Sequence, residues 1–383
     1  MLRVHGPRLR VIWICGAAGA GKSVAAWALF EALATAGRRV AYVDIDQLGM
    51  LYPAADADLG RHSLKAEALA ALAPGYVAAQ AQVLVVSGVV DVDTGPGTAL
   101  AQDVDLTLCL LSPDPAALRE RILARGRDEA DAEEAVAEDA VLRDATFVDV
   151  AIATSGLSVT DTASRLREFC WVPDHDPDGA VDAGGRSWKV HGQVVCSPSD
   201  MDVVVVTGPR AAGSSTIGFG LNMGRWRAGR RTGFVDLQQL GFISERGSRT
   251  ANETTLAIGQ LAVMHNLMSE RGAELLVVSG QLAVSDRATL RAALRAAQVT
   301  LVRLRADSKT LKEHVHSRAQ GSEARLAGDD LLDADQEHQD VVVATALDEQ
   351  HVLDASAADD AVLEVTGRTA PDVIAEVEIL IFG

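Results

Sequence analysis

Cysteines, aromatic residues and long apolar runs are all scarce in this sequence. Their scarcity argues against disulfides, a cysteine-bound metal, an aromatic core and a membrane-spanning helix. No CxxC pair or zinc-ligand spacing occurs, so reduced thiols are expected rather than disulfides or a metal centre. The four cysteines are Cys15, Cys109, Cys170 and Cys196. Aromatic residues make up 4% of the chain, so its cores must be built from aliphatic side chains. No apolar run reaches transmembrane length and no signal-type segment is visible, which favours a cytoplasmic protein.

Basic residues are also few relative to acidic ones. The chain has 35 Lys and Arg against 53 Asp and Glu, a formal net charge of -18. A nucleic-acid backbone or an anionic membrane needs a basic footprint, so neither is expected as the main partner. Hydrophobic residues reach 48%, which excludes wholesale disorder. The 383 residues correspond to two or three domains of about 150 residues each.

One pattern occurs twice along the chain, at an offset of 192 residues. The repeated pairs of segments are 16–23 with 208–215, 37–49 with 229–241, 84–88 with 276–280 and, after one inserted residue, 107–125 with 300–318. Because one register holds across four separate segments, the sequence predicts two tandem copies of one domain. Residues 173–199 are rich in Pro, Gly, Asp and Ser and indicate a linker, so the predicted domains are 1–172 and 200–383.

Each copy alternates short apolar runs with segments of helical spacing. In the first copy, the predicted strands are 10–15, 39–45, 82–86, 106–111 and 149–153, and the predicted helices are 22–36, 63–73, 115–125 and 159–169. This alternation predicts an α/β fold in which each domain is a parallel five-stranded sheet flanked by helices. Ligands of such sheets bind beyond the carboxyl ends of the strands. A further short strand or hairpin is predicted at 188–195, inside the linker.

A glycine-rich loop joins the first predicted strand to the first predicted helix. It reads Gly16-Ala17-Ala18-Gly19-Ala20-Gly21-Lys22-Ser23 and fits the phosphate-loop pattern GxxxxGK[ST]. The glycines let backbone N–H groups face an anion, and the helix start adds favourable partial charge. Lys22 would reach the β- and γ-phosphates, and Ser23 would ligate magnesium. The predicted cofactors are therefore ATP and Mg²⁺.

Three further segments resemble the small P-loop kinases, a group that includes adenylylsulfate kinase, gluconate and shikimate kinases, and chloramphenicol phosphotransferase. They are 42–48 (YVDIDQL), 111–127 and 149–158. The resemblance implies that Asp44 stands on the magnesium side, since the third strand ends in Ser87 and Gly88 without an acid. It also implies that Asp46 contacts the acceptor hydroxyl, although which of the two aspartates is the base stays open. Arg125 and Arg127 would be lid arginines, and Val24, Ser155 and Gly156 would join the nucleotide site.

Several charged residues allow two interpretations. Arg119 and Arg121 are expected to form surface salt bridges rather than to act in catalysis. The acidic stretch 128–139 indicates a solvated, mobile lid helix, with binding of a cationic substrate as the alternative. Asp91 and Asp93 either line an acceptor pocket or belong to a surface loop. His314 and His316 stand two apart on a predicted helix, share no face and predict no metal site.

The second copy keeps the glycine frame of the loop and loses its lysine. Ser214 stands where Lys22 stands, and Gln238 replaces Asp46, while Asp236 and Arg318 remain. We therefore expect a catalytically silent copy. Alternatively, it binds a nucleotide or phosphorylated ligand through backbone N–H groups, with help from Arg210 or from the basic group Arg225, Arg227, Arg230 and Arg231. We expect the two copies to pack with pseudo-twofold symmetry. The sequence does not decide whether the chain forms a homo-oligomer.

Two functions from different classes fit these observations. The first is an ATP-dependent kinase acting on a small-molecule hydroxyl or a nucleotide-type acceptor, with catalysis in the N-terminal domain. Positioning and charge stabilisation, which phosphoryl transfer mostly requires, would come from the loop, Asp44 and the lid arginines. The second is a nucleotide-binding regulator or scaffold with little or no phosphotransfer. The sequence does not identify the acceptor.

Overall fold

The structure is a computed structural model that describes residues 9–97, 104–169, 195–244, 251–321, 327–356 and 361–383. These residues form two compact units. Unit 1 contains 9–46, 62–97, 104–169 and 243–244, and unit 2 contains 47–61, 195–242 and the described residues from 251 onward. Two short segments are thus exchanged between the halves of the chain, which the contiguous domains 1–172 and 200–383 did not anticipate. The strand predicted at 188–195 falls almost wholly outside the described residues.

The sheet of unit 1 has five parallel strands. With strands numbered in chain order, they are β1 (Leu9–Cys15), β2 (Val40–Asp44), β4 (Val83–Ser87), β5 (Val104–Ser112) and β6 (Val150–Ala153). The sheet order is β6-β5-β1-β4-β2, and a two-residue strand, β9 (Ile243–Ser244), pairs antiparallel with β2 at the edge. The five predicted parallel strands are confirmed, and the sixth strand is an addition.

Aliphatic side chains fill both faces of this sheet. Val11, Ile12 and Ile14 of β1 have no solvent exposure, and Val83 to Val86 of β4 are exposed by at most 1%. Strands that are buried on both faces read as continuous apolar runs, which is why the sequence shows no alternation here. Cys15 and Cys109 on these strands are buried free thiols, as is Cys196 in unit 2.

Helices flank the sheet of unit 1 in the order that the sequence indicated. They are α1 (Lys22–Thr35), α3 (His62–Ala78), α4 (Pro115–Ala124), α5 (Glu129–Asp144) and α6 (Val159–Phe169), and the short helix α2 (Ile45–Leu48) begins in unit 1 and ends in unit 2. The predicted end of α3 before Pro74 is wrong, because the helix continues through this proline to Ala78. The continuation places Tyr76 in the core with no solvent exposure, which offsets the backbone hydrogen bond that a proline cannot donate.

Unit 2 repeats the strand order of unit 1. Its strands are β7 (Asp202–Thr207), β8 (Thr232–Asp236), β10 (Leu275–Ser279), β11 (Gln298–Arg305) and β12 (Ala361–Glu364), in the order β12-β11-β7-β10-β8. The edge strand β3 (Leu51–Tyr52) pairs antiparallel with β8 and comes from the first half of the chain. Unit 2 therefore has the α/β architecture predicted from the repeated segments.

The helices of unit 2 follow the same plan. They are α7 (Ser214–Arg227), α8 (Leu237–Leu240), α9 (Ala251–Glu270), α10 (Arg287–Ala293), α11 (Ser308–Ala319), α12 (Gln336–Ala355) and α13 (Ala370–Phe382), with a 3₁₀ turn at Val284–Asp286. Across the described residues of both units, no helix combines the length and apolarity needed to cross a membrane.

Candidate functional site

The glycine loop of unit 1 runs from the end of β1 to the start of α1. Gly16 has φ +146°, and a Cβ at this position would lie 2.6 Å from the carbonyl oxygen of Leu111, so only glycine fits. Gly21, at the N-cap of α1, has φ +94°, a left-handed conformation that an L side chain strains. Between them the N–H of Ala20 donates to the Ala17 carbonyl at 3.1 Å and closes a tight turn. The loop and the helix start thus form the phosphate cradle that the motif predicted.

The Lys22 side chain folds over this loop. Its Nζ donates to the carbonyl oxygens of Gly16 and Ala17, each at 2.9 Å. Burial lowers the pKa of Lys22, and the nearby carboxylates of Asp46, Glu138 and Asp44 counter that effect. An ammonium held above the cradle and surrounded by carboxylates is suited to contact a polyphosphate there.

Ser23 and Asp44 meet beside the loop. The Ser23 Oγ donates to Asp44 Oδ2 at 3.2 Å. Asp44 ends β2 and pairs in register with Ser87, which ends β4; Ser87 also hydrogen-bonds the Asp44 carboxylate and lies 2.7 Å from the Tyr42 hydroxyl. Burial, with a smaller contribution from the negative charge of Asp46, raises the pKa of Asp44 to about 6. Ser87 is a site residue that the sequence analysis did not predict. The sequence pattern showed only that the third strand has no acidic residue at its end.

The oxygen atoms beside the loop fit a magnesium ion. Mg²⁺ prefers oxygen ligands and keeps several waters, so one or two protein ligands suffice. The Ser23 hydroxyl and the Asp44 carboxylate, 3.2 Å apart at the helix start, are such a pair. A positive ion there would also relieve the burial cost of the Asp44 charge. Within the described residues, no group of three or more His, Cys, Asp or Glu side chains could hold a metal ion.

Asp46 lies on the same edge of the sheet as Asp44. β2 ends at Asp44 and α2 begins at Ile45, so the two side chains no longer alternate as they would along a strand. The Asp46 N–H donates to Asp44 Oδ1 at 2.9 Å, and Asp46 Oδ1 accepts from Lys65 Nζ at 2.7 Å. Lys65, on α3, is only 7% exposed and was not singled out in the sequence. A buried ammonium therefore fixes the orientation of the Asp46 carboxylate.

Of the four arginines discussed in the sequence, Arg121 lies differently from its predicted place. Arg125 and Arg127 are exposed, and Arg127 forms an ion pair with Asp131 at 3.7 Å. Arg121, expected to form surface salt bridges, instead places Nη1 3.4 Å from the carbonyl oxygen of Ala20 in the glycine loop. Arg119 does form the expected ion pairs, with Glu129 and Glu133. In this structure Arg121 is the arginine of α4 that reaches the loop.

The remaining predicted residues occupy the carboxyl edge of the sheet and the loops beside it. Ser155 Oγ accepts from the Asp114 N–H at 2.7 Å, Gly156 is exposed at φ +74°, and Val24 is half-buried in α1. Ser155 thus secures the start of α4. Asp91 accepts the N–H groups of Asp93 and Thr94 at 3.0 and 2.7 Å, which is the geometry of a turn in a surface loop.

The acidic helix α5 has the predicted solvated acids on one side and is attached to the sheet on the other. Asp139 is 2% exposed; it accepts from Ser112 Oγ at 3.0 Å and pairs with Arg143 at 2.7 Å. Glu138 lies beside the Ala18 N–H of the glycine loop, and burial raises the pKa of its carboxyl group. Its outward-facing acids stay exposed. The helix therefore contributes a carboxylate to the cradle.

The corresponding loop of unit 2 keeps its shape without a lysine. Gly213 has φ +92°, and Ala211, at the position of Gly19, adopts φ +63° although it is not glycine. The Ser215 hydroxyl donates to Asp236 at 2.6 Å, as Ser23 does to Asp44. Arg210, the residue that could have replaced the lysine charge, pairs with Asp330 instead. Burial raises the pKa of Asp236.

Other basic residues of unit 2 also have partners of their own. Arg318 pairs with Asp329 at 3.1 Å, and Arg230 pairs with Glu274 at 2.6 Å. Arg225 stacks over the Phe382 ring at 4.1 Å. Arg231 donates from Nε to a backbone carbonyl at 2.9 Å.

A family model described as AAA domain matches residues 11–148, which span the loop, Asp44, Asp46 and all of α5. This segment is therefore similar to that family. The predicted resemblance of this segment is thereby confirmed at the level of the fold. No curated protein matches the chain.

Several solved structures are similar to part of the chain. A sugar kinase from Janibacter sp. HTCC2649 has 17% identity and a TM-score of 0.33 over 47% of this chain and 93% of its own. A gluconokinase from Sinorhizobium meliloti 1021 has 17% identity and a TM-score of 0.32 over 47% and 90%. The tunicamycin resistance protein of Deinococcus radiodurans has 20% identity and a TM-score of 0.32 over 43% and 98%. Each covers less than half of this chain.

Proposed function

We propose that unit 1, through its glycine loop, transfers the γ-phosphoryl group of ATP to a hydroxyl of a small-molecule or nucleotide-type acceptor. The observation that carries the proposal is the arrangement around the loop: Lys22 above the cradle, and Ser23 3.2 Å from Asp44 beside it. Asp46, held at 2.7 Å by Lys65, faces the same edge. Phosphoryl transfer needs little from a protein beyond such positioning and charge.

Each residue has a specific task in this proposal. Lys22 and the loop N–H groups bind the phosphates, and Arg121 adds positive charge at the loop. Ser23 and Asp44 would hold Mg²⁺, which supplies charge neutralisation on the phosphates when it is bound. Asp46 orients the acceptor hydroxyl or accepts its proton, and Lys65 keeps this carboxylate in one orientation. Arg125 and Arg127 stay proposed lid residues, in a segment whose side chains are exposed.

Unit 2 is proposed to be a catalytically silent copy with a structural or regulatory role. Ser214 stands in place of the lysine, and Arg210 is paired with Asp330. Gln238, in place of Asp46, donates to Gln281 at 2.7 Å and has no charge to offer an acceptor. The loss of the cation and the acid together supports the absence of transfer here, and pseudo-twofold packing of the units stays part of this proposal.

The decisive experiment measures magnesium-dependent ATP consumption with a panel of alcohols, nucleosides and amino sugars. We expect at least one acceptor to stimulate consumption and to appear as a phosphorylated product. Lys22→Ala should reduce this rate by about 100-fold or more, because the main side-chain cation of the loop is lost. Lys309→Ala, which removes a lysine whose side chain is 82% exposed on α11, is the matched control and should change nothing. Full transfer by Lys22→Ala would refute the assignment.

A nucleotide-binding regulator or scaffold is the second candidate. It is favoured by the loss of the lysine in unit 2 and by the contacts that the Lys22 ammonium makes with the carbonyls of its own loop. A regulator would bind ATP tightly and show no acceptor-stimulated consumption with any compound of the panel. The same assay therefore separates the two functions.

A further inference from the structure

Both glycine loops bind a carboxylate that comes from their own unit. In unit 1 the Glu138 carboxylate of α5 lies beside the Ala18 N–H, which lowers the carboxyl pKa that burial raises. In unit 2 the Arg210 N–H donates to Glu349 Oε2 of α12 at 2.9 Å. Ala18 and Arg210 are each the third residue of their loop, and α5 and α12 are corresponding helices. The same contact thus recurs in two loops whose sequences differ at this residue.

A carboxylate oxygen at this position resembles an oxygen of a bound phosphate. Both are charged acceptors that take hydrogen bonds from backbone N–H groups near the start of a helix. In unit 1 the Glu138 charge also acts on Lys22, the cation meant for the β- and γ-phosphates. Burial disfavours the charged form of Glu138, so the N–H group and the ammonium are what keep it there. A triphosphate and Glu138 would therefore compete for the same donors.

The two carboxylates differ in what else holds them. Glu349 Oε2 accepts a second hydrogen bond, from Gln281 Nε2 at 3.1 Å, and Gln281 is in turn bound by Gln238 at 2.7 Å. In the repeat, Gln281 corresponds to Val89, which has no side-chain donor, and Gln238 corresponds to Asp46. The contact in unit 2 is therefore part of a network, whereas the corresponding positions of unit 1 cannot build that network.

We propose that Glu138 sets the affinity of the unit 1 loop for polyphosphate: its carboxylate occupies a phosphate position and leaves when a triphosphate binds. In unit 2 the Gln281 and Gln238 network retains Glu349 and keeps the second loop closed to phosphate. This inference rests on the nucleotide-binding half of the proposed function and is independent of any acceptor.

The test measures the dissociation constants of Mg·ATP and of inorganic triphosphate by calorimetry on the full chain. Glu138→Gln removes the charge with little change of shape, and Glu138→Ala removes the contact. We expect both variants to bind both ligands about tenfold more tightly, a change of about 1.4 kcal/mol. Glu134→Ala, one turn away on the exposed side of α5, removes the same charge without the contact and should shift either constant less than twofold.

The second loop is tested in a Lys22→Ala background, so that unit 1 no longer dominates binding. We expect this parent to bind inorganic triphosphate weakly or not at all, and the added change Glu349→Ala to strengthen binding at least fivefold. Unchanged or weaker binding in both Glu138 variants overturns the inference while ATP binding by the unaltered chain still supports the proposed function. If neither the unaltered chain nor the Glu138 variants bind any polyphosphate, the proposed function fails as well.

Discussion

Burial makes the charge of the Asp44 carboxylate costly in the absence of a cation. Its pKa is raised from 3.8 to about 6 by burial first and by Asp46 second. Because the folded protein binds this proton more tightly than the unfolded chain does, the contribution to stability is fully present below pH 4. It is lost as the pH rises through 6. A residue kept charged at neutral pH at such a cost indicates a function that needs the charge.

We expect the unfolding free energy, measured in magnesium-free buffer, to fall between pH 4 and 7 by on the order of 2 kcal/mol from this group alone. Asp44→Asn removes the titrating carboxyl while keeping an acceptor for Ser23, so this variant should lack that part of the decline and be more stable at pH 7. Urea unfolding at several pH values measures both curves. Superimposable slopes for the two proteins would show that Asp44 titrates normally.

Lys65 illustrates how a single buried cation can prepare an acid for a reaction. It is 7% exposed, whereas the Asp46 side chain that it binds at 2.7 Å is 44% exposed. The carboxylate is therefore accessible to an acceptor while its orientation is fixed from the protein side.

Lys65→Met should lower acceptor-stimulated turnover by about tenfold through lost orientation of Asp46. ATP affinity should stay within twofold of the unaltered value, because Lys65 makes no contact with the loop. Lys65→Arg keeps the charge and should restore part of the rate. Equal losses in turnover and in ATP affinity would instead indicate a general disturbance of the domain.

At the scale of elements, α5 is fastened to β5 through one buried carboxylate. Asp139 is 2% exposed, and its partners are Ser112 at the end of β5 and Arg143 one turn further along α5. This attachment holds Glu138 at the loop, since the two residues are adjacent. The position of α5 therefore depends on the neutralisation of a buried charge.

Arg143→Met should cost roughly 2–3 kcal/mol, because it leaves the Asp139 charge buried without its cation. The double variant Asp139→Asn with Arg143→Met should recover most of that loss, since the uncompensated charge is gone and an oxygen is still available to Ser112. Urea midpoints of the single and double variants measure the difference. A single variant as stable as the unaltered chain would mean that solvent compensates Asp139.

Elements with a strong local pattern could be predicted from the sequence. The five parallel strands of unit 1 carry apolar runs, and α6 was predicted at its observed bounds, 159–169. The loop was predictable because its glycines and lysine are contiguous. Lys65, Glu138 and Arg121 were not, because each reaches the site from a helix distant in sequence and nothing in its local pattern records that approach. The end of α3 was missed because burial of Tyr76 outweighs the cost of Pro74.

At the scale of the whole molecule, each unit contains a strand from the other half of the chain. Leu51 and Tyr52 pair with Gly233 and Thr232 inside unit 2. Ile243 and Ser244 pair with Ala41 and Val40 inside unit 1. Strands of two residues are too short to carry a periodic signal, so the sequence could not indicate this exchange. Its consequence is that neither half of the chain contains all strands of a unit.

A chain divided at residues 172 and 195 should therefore stay together. When fragments 1–172 and 195–383 are produced in one cell with a tag on one of them, we expect both to purify as a one-to-one complex. Leu51 is 3% exposed, and the Tyr52 ring packs 5.5 Å from that of Trp226, so Leu51→Ser with Tyr52→Ser should weaken this association at least tenfold. Leu59→Ser, in the same segment but 73% exposed, is the matched control and should leave it unchanged. Fragments that elute separately as folded monomers would show that the exchanged strands are dispensable and that each half closes its own sheet.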